Sequence, residues 1–325
     1  MTILNAPQFQ SHHAAREYLE ALRWAGEPVC AHCGTIGGHY ATKKAGVWRC
    51  HSKGCRKDFS VTTKTVMESS HIGLHLWLQG FHLLCSSKKG FSAHQLHRTL
   101  KITYKSAWFM CHRIREAMRL GSLELLGGEG KIVEADETYY GPVQKPKRRG
   151  RTTSGRPFTK SGRSGPSNKR PIVALVERGG RVRTFHVAVA DKATVEEIVT
   201  DNIARESRLH TDESRLYTET GSYFAAHETV KHSAEEYVRY NHTFPDGKLH
   251  TEKVHTNSAE GYFSIFKRGM RGVYQHCSEK HLHRYLAEYD FRYNHRVKLG
   301  YGDSDRADLA IKGAEGKRLT YRPVN

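Results

Sequence analysis

Four cysteines in two pairs, Cys30-Ala31-His32-Cys33 and Cys50-His51-Ser52-Lys53-Gly54-Cys55, constrain what the start of this chain can fold into. Two pairs, each on a tight knuckle and separated by a short hairpin, supply four thiolates for one tetrahedral zinc ion. A module this short has little core, so the metal contributes folding free energy directly. The second pair is spaced C-x4-C rather than the commoner C-x2-C. His32 and His51 are alternative donors, but Cys30, Cys33, Cys50 and Cys55 form the simpler ligand set. Cys85, Cys111 and Cys277 stand singly in apolar helical contexts and read as core residues. Seven cysteines, an odd number with four clustered early, argue for metal in a reducing cytoplasm rather than a disulfide framework.

The 325 residues suffice for two or three small domains. Against 33 acidic residues stand 52 Lys and Arg, a formal charge of +19 before any of 22 histidines protonates. That imbalance calls for a polyanionic partner, and nucleic acid fits better than a membrane surface. No apolar run reaches the roughly 18 residues of a spanning helix, and the first residues lack the apolar stretch of a secretory signal. The expected setting is cytoplasmic and nucleoid-associated.

In chain order, residues 1–66 should hold a short amphipathic helix (Ala14, Tyr18, Leu19, Leu22, Trp24) and the zinc ribbon, with 59–66 as a β-branched strand closing it. A helical unit follows over 67–126. Leu74, Trp77, Leu78, Phe81, Leu84 and Cys85 make one stripe, and Gly90 ends it. Ser92 then caps a helix to Leu100, and a three-residue turn leads into Tyr104–Met118. These lengths fit a helix-turn-helix whose second helix turns Lys105, His112, Arg113 and Arg115 toward DNA. Beyond Gly127 the pattern changes to strands at 132–138, 172–177 and 183–189, the last two joined by a hairpin at Arg178-Gly179-Gly180. The intervening segment 145–170 carries ten Lys and Arg, including Lys147, Arg148 and Arg149, and no acid. It reads as a mobile basic loop that grips phosphates or simply adds solubility. A helix at 194–204, a strand at 208–212 and an edge strand near 237–240 come next. A last helix at 278–296 should show a basic face of Arg284, Arg292 and Arg296, and residues 300–325 read as a poorly ordered polar tail.

Three acids stand out. Asp136 lies late in a strand, Asp212 ends another, and Glu260 falls on the first turn of a helix over His255–Arg268. That helix presents Ala259, Tyr262, Phe263, Phe266 and Met270 to a core, while Glu260 and Lys267 lie nearly in line two turns apart. Asn257 followed by Glu260 also has the form of a capping box. Singly, each acid is more often a surface residue or a turn cap, and Glu134, Glu137 and Glu213 are neighbours that chemistry alone does not exclude. Together, acids at strand ends suit two divalent cations about 4 Å apart, Mg²⁺ or Mn²⁺, which activate a water or 3′-hydroxyl and stabilise the leaving oxygen.

The order of zinc ribbon, helical unit, Val-Glu-Ala-Asp-Glu-Thr-Tyr-Tyr-Gly (133–141) and Thr-Asp-Glu-Ser (211–214) resembles the zinc-ribbon group of bacterial insertion-sequence transposases. So do His-Thr-Asn-Ser-Ala-Glu-Gly-Tyr-Phe-Ser-Ile-Phe-Lys-Arg-Gly (255–269) and His-Leu-His-Arg-Tyr-Leu-Ala-Glu-Tyr-Asp-Phe-Arg-Tyr-Asn (281–294). The resemblance covers residues 15–297. It implies an α/β RNase H-like catalytic domain over 127–299, a mixed sheet flanked by helices, with a DDE-type metal site acting on transposon-end DNA. Carried across, Asp136, Asp212 and Glu260 are the catalytic acids, and Lys267, with Arg268 beside it, grips DNA near the scissile phosphate. Group members differ over Asn or Glu in the third position, and this chain has both Asn257 and Glu260. The resemblance also implies a homo-oligomer on double-stranded DNA. Two rivals remain at this point: a zinc-ribbon regulator without chemistry, and a metal-dependent nuclease that cuts without joining.

Overall fold

The computed structural model describes residues 3–119, 121, 124–142, 168–243 and 249–320. The chain divides into two compact units, Met1–Leu120 with His295–Asn325, and Gly121–Asn294.

In the first unit, helix α1 (His12–Trp24) is capped by the Ser11 hydroxyl, which accepts from the Ala14 amide at 3.1 Å. Three short strands follow, β1 (Tyr40–Ala41), β2 (Val47–Arg49) and β3 (Asp58–Ser60), paired antiparallel in that order. The strand expected over 59–66 stops at Ser60. Thr63 Oγ1 accepts from the Ser60 amide at 2.9 Å and Thr65 Oγ1 donates to the Thr62 carbonyl at 2.7 Å. Threonine hydroxyls thus fold the backbone into turns where β-branching alone would favour a strand.

Helices α2 (Leu74–Ser86), α3 (Ala93–Leu100) and α4 (Tyr104–Met118) build the core of this unit. Trp77, Leu78, Phe81, Leu84 and Cys85 of α2 are all buried, as the periodicity predicts. A Cβ on Gly80 would stand 2.8 Å from Met110 Sδ, so a glycine there lets α2 and α4 approach closely. Ser92 and Gln95 form a complete capping box on α3. Lys101, at φ 53°, ends that helix in the left-handed region.

Two expectations fail in this unit. Arg113 and Arg115 are only 9% and 2% exposed and do not face DNA. Arg113 donates to the carbonyls of Leu319 (3.1 Å) and Glu68 (3.2 Å), so its charge serves the interior. His112 is likewise buried, whereas Lys105 is exposed. The polar tail, moreover, contains helix α8 (Asp303–Lys312), whose Ala307, Ala310 and Ile311 are buried. Arg306 anchors α8 by donating to the carbonyls of Cys85 (3.0 Å), Tyr301 (3.1 Å) and His295 (3.2 Å).

The second unit is a five-stranded mixed sheet in the order β6-β5-β4-β7-β8. Its strands are β4 (Ile132–Pro142), β5 (Lys169–Glu177), β6 (Val182–His186), β7 (Arg208–Asp212) and β8 (Ala226–Val230). β5 runs antiparallel to both of its neighbours, β6 and β4, and β4, β7 and β8 run parallel. Strand β5 reads Lys-Arg-Pro-Ile-Val-Ala-Leu-Val-Glu and is buried from Arg170 to Val176, the continuous apolar run of a strand covered on both faces.

Helix α5 (Lys192–Asn202) covers one face, packing Val195, Ile198 and Val199 near Val133, Ala135, Val173 and Leu175. The other face takes α6 (Asn257–Gly269) and α7 (Leu282–Asn294), whose Ala259, Tyr262, Phe263, Phe266, Leu286 and Tyr289 cluster with Ile172, Ala174 and Val176. A two-stranded ribbon, β9 (Arg239–Thr243) and β10 (His250–Val254), leads into α6.

Arg292 of α7 is buried against Glu288 instead of lying on a basic surface. Lys169 and Arg170, placed in the basic loop by sequence, belong to β5. Lys147, Arg148 and Arg149 lie outside the described residues. No helix among the described residues is long and apolar enough to cross a membrane.

Candidate active site

Asp136 sits on β4 opposite Ala174 of β5, and Ala174 belongs to the face covered by α6. Alternation puts Glu134, Asp136 and Thr138 on that face. β4 and β7 are paired in parallel through Ile132↔Arg208, Val133↔Leu209 and Glu134↔His210. The same offset, carried two residues on, brings Asp136 level with Asp212, side chains to the same face. Glu260 lies on the first turn of α6 over that face, and its backbone amide donates to the Thr256 carbonyl at 3.1 Å. The fold therefore gathers three acids that are remote in sequence.

Electrostatics support that grouping. The Asp136 carboxyl is pushed up to about 8, first by burial and then by the like charges of Glu137, Asp212 and Glu260. Lys267 is shifted downward by burial, while the Asp136 carboxylate pulls it the other way, which places the ammonium within reach of the same site. Lys267 Nζ also lies 6.0 Å from the centre of the Phe263 ring. The arrangement is open: among the described residues, only the four cysteines bring three or more metal-ligand groups within 4.8 Å of one another. A half-buried Asp136 and Asp212 with an exposed Glu260 beside them are the donor set that hard divalent cations take, with waters and phosphate oxygens completing the shell.

Several neighbours complete the site. Glu137, on the opposite face of β4, accepts from the buried Tyr217 phenol at 2.8 Å and from Ser214 Oγ at 3.4 Å. The Ser214 amide in turn donates to Asp212 Oδ1 at 2.9 Å, so the middle of β4, which runs on to Pro142, is tied to the end of β7. His232 Nε2 lies 3.5 Å from Glu260 Oε1. Glu213 accepts from the Ser233 amide and hydroxyl, a structural contact. Arg268 is exposed and folds back onto Ser264 of its own helix.

Asn257 does not cap α6, contrary to the capping-box reading. Thr256 occupies the cap position without a side-chain cap bond, and Asn257 is exposed at the first helical position. The cap comes from the sheet. Glu134, with no exposed surface, accepts from the Ser258 amide (2.7 Å), the Ala259 amide (3.1 Å) and Ser258 Oγ (3.0 Å). A helix N-terminus capped by a residue more than a hundred positions away leaves no local signal. The motif around Asp136 did make Glu134 visible as an acid, but not its task.

In the first unit the cysteines also converge. Cys30 Sγ lies 3.8 Å from Cys55 Sγ, and Cys33 Sγ 3.6 Å from Cys50 Sγ. Gly34, at φ 78°, closes the first knuckle, its amide donating to the Cys30 carbonyl at 2.8 Å. Hydrogen bonding by Thr35 pulls the Cys33 thiol down to about 6, and burial pushes Cys50 up to about 12. The four thiols fit a structural zinc ion.

A family model described as an ISXO2-like transposase domain matches residues 125–294, more than half of the chain. The chain belongs to the ISXO2-like transposase family. A transposase zinc-ribbon domain model matches residues 10–58, the segment that holds all four clustered cysteines. The chain is also similar to a protein of Halobacterium salinarum, named as an uncharacterized protein in transposable element ISH50. The two are 26% identical over 294 residues, covering 87% of this chain and 91% of the relative. Membership in this transposase family implies a nucleotidyl-transfer enzyme; the four clustered cysteines fall within the residues matched by the zinc-ribbon model, and Asp136, Asp212 and Glu260 within those matched by the transposase-domain model.

Proposed function

We propose that this insertion-sequence transposase binds the terminal repeats of its element, frees their 3′ ends and joins them to target DNA through a DDE-type site. The observation that carries the reading is the convergence of Asp136, Asp212 and Glu260 with Lys267 on one face of the sheet. The sheet order, three antiparallel strands continued by two parallel ones, supports an RNase H-like domain. Asp136, Asp212 and Glu260 would hold Mg²⁺ or Mn²⁺. Such ions supply activation of a water or 3′-hydroxyl and stabilisation of the leaving oxygen.

The chain's own groups do the rest. Lys267, at the rim of the acids, attracts a non-bridging phosphate oxygen and holds the scissile phosphate in line. Burial of Asp136 keeps bulk water from competing for its oxygens. Glu260, on a helix rather than a strand, closes the site from above. Glu260 is favoured over Asn257 because its charge is felt at Asp136, and because a carboxylate is the better ligand for a hard cation. The three-residue turn between α3 and α4 supports a helix-turn-helix, with Lys105 its exposed contact to DNA. Pairing of two element ends calls for a homo-oligomer on the DNA.

The test is a labelled duplex carrying the element's end, incubated with protein and Mg²⁺. Asp136→Ala, Asp212→Ala and Glu260→Ala should lose cleavage and strand transfer by at least about 100-fold while retaining DNA binding, and Asn257→Ala should remain active. Loss in Asn257→Ala but not Glu260→Ala would move the third ligand. Specific binding with no cleavage under any divalent ion would leave a DNA-binding regulator.

A further inference from the structure

Glu134 makes no contact with the solvent from which DNA would arrive, yet it is the most heavily engaged carboxylate around the site. Besides the three α6 donors, its Oε1 accepts from Arg178 Nε at 3.0 Å and lies 3.3 Å from His255 Nδ1. Arg178, at the β5–β6 turn, spreads its other donors over the Lys253 carbonyl (2.7 Å), the His255 carbonyl (3.0 Å) and His210 Nδ1 (3.2 Å). One carboxylate on β4 and one guanidinium thus hold both the segment entering α6 and its first turn.

We infer that Glu134 is a positioning residue: by capping α6 from β4, it fixes Glu260 against Asp136, and so sets the spacing of the cation-binding acids. The inference rests on the reading of those acids given above.

The physical argument has three parts. The first four amides of a helix lack internal partners. When a neighbouring side chain satisfies them, the helix end is pinned to whatever carries that side chain. Here the pin is two residues from Asp136 on the same strand and the same face, and Glu260 follows Ala259 directly. Any slack in the Glu134 contact therefore passes to the Asp136–Glu260 separation with no intervening hinge. Second, Thr256 makes no side-chain cap bond of its own, and His255 Nδ1 takes only the Asn257 amide at 3.3 Å, which leaves the Ser258 and Ala259 amides to Glu134. Third, Arg178 Nη2 lies 2.9 Å from Glu134 Oε1 and braces the clamp from the β5–β6 turn, and a carboxylate is a favourable partner for a helix N-terminus. Partners that orient metal ligands in this way typically change cation affinity by about 10- to 100-fold when removed.

The test uses the full-length protein with Glu134→Gln and Glu134→Asp. Gln keeps the shape but weakens the acceptor, and Asp keeps the charge but falls short by one methylene. Hydrogen exchange in the zinc-loaded protein without added Mg²⁺ or Mn²⁺ should show the Ser258 and Ala259 amides exchanging at least about tenfold faster in both variants, with β5 unchanged. Mn²⁺ titration followed by electron paramagnetic resonance, on protein bound to an uncleavable duplex, should show cation affinity lower by about tenfold. DNA affinity without added Mg²⁺ or Mn²⁺ should stay at the wild-type value.

A purely structural role would lower the melting temperature and leave the Mn²⁺ affinity of the folded protein unchanged, and that result would overturn the inference. So would unaltered exchange at Ser258 and Ala259. If wild type binds Mn²⁺ through Asp136, loses that affinity with Glu134→Gln, but cleaves no DNA, the positioning role stands and the strand-transfer reading falls.

Discussion

Tyr262 on α6 donates its phenolic proton to Asp290 on α7 at 2.6 Å, and Asp290 also accepts from the Thr184 amide at 3.0 Å. Three elements, β6, α6 and α7, meet at this one buried carboxyl. Burial pushes Asp290 up to about 7, although the hydrogen bonds from Tyr262 and Thr184 pull the other way. The folded state therefore holds this proton more tightly than the unfolded chain does. The contribution to stability is full below about pH 4 and is lost as pH rises toward 7, amounting to roughly 4 kcal/mol at about 1.4 kcal/mol per pH unit. Asp290→Asn should flatten the dependence of unfolding free energy on pH across that window. Denaturant titrations at pH 4.5 and 7.5 check this, and equal slopes in wild type and variant would count against it.

Arg113 and Lys105 lie on the same helix and should separate cleanly. Arg113→Ala leaves the Leu319 and Glu68 carbonyls without their donor and should cost about 2–4 kcal/mol of stability. Lys105→Ala should leave the melting temperature unchanged and weaken duplex binding, with a salt-dependence slope smaller by about one. Calorimetry and binding at several salt concentrations would show the two effects exchanged if α4 faced DNA as its sequence suggests.

The zinc ribbon should depend on metal outright. Its three strands are two or three residues long, too short to hold a fold alone. Purified protein should contain one zinc per chain by elemental analysis, and Cys50→Ser should carry almost none. Chelation should open residues 30–60 to protease. Protease resistance that survives complete zinc removal would refute a metal-built ribbon.

Ending the chain at Gly300 removes α8 and leaves the Cys85 carbonyl without its Arg306 donor. Loss of the buried Ala307, Ala310 and Ile311 should lower the melting temperature of the first unit by more than about 5 °C. A truncated protein with an unshifted transition would show that α8 adds nothing to that core.

Much of this was legible in sequence because the signals are local. The α2 stripe, the Ser92 cap, the β5–β6 turn and the apolar side of α6 each follow from spacing within a few residues. The acids at 136, 212 and 260 were marked by motif and strand end, and the fold does gather them. What sequence concealed was non-local. Arg113 looks like a surface cation until its acceptors, at Glu68 and Leu319, are placed beside it. α8 has a weak signature because its buried positions are mostly alanine amid acids and arginine. Asn257 and Glu260 spell a capping box that the helix does not use: His255 Nδ1 takes the Asn257 amide, the Thr256 carbonyl takes the Glu260 amide, and Glu134 reaches the Ser258 and Ala259 amides from the sheet.

The first unit is discontinuous, requiring residues 12–118 and again 303–312. Its helices leave the ribosome long before the segment that completes their core, so they must wait through synthesis of the whole catalytic unit. A premature stop or frameshift anywhere before α8 releases a product whose first unit lacks part of its core even when every residue of its ribbon is present.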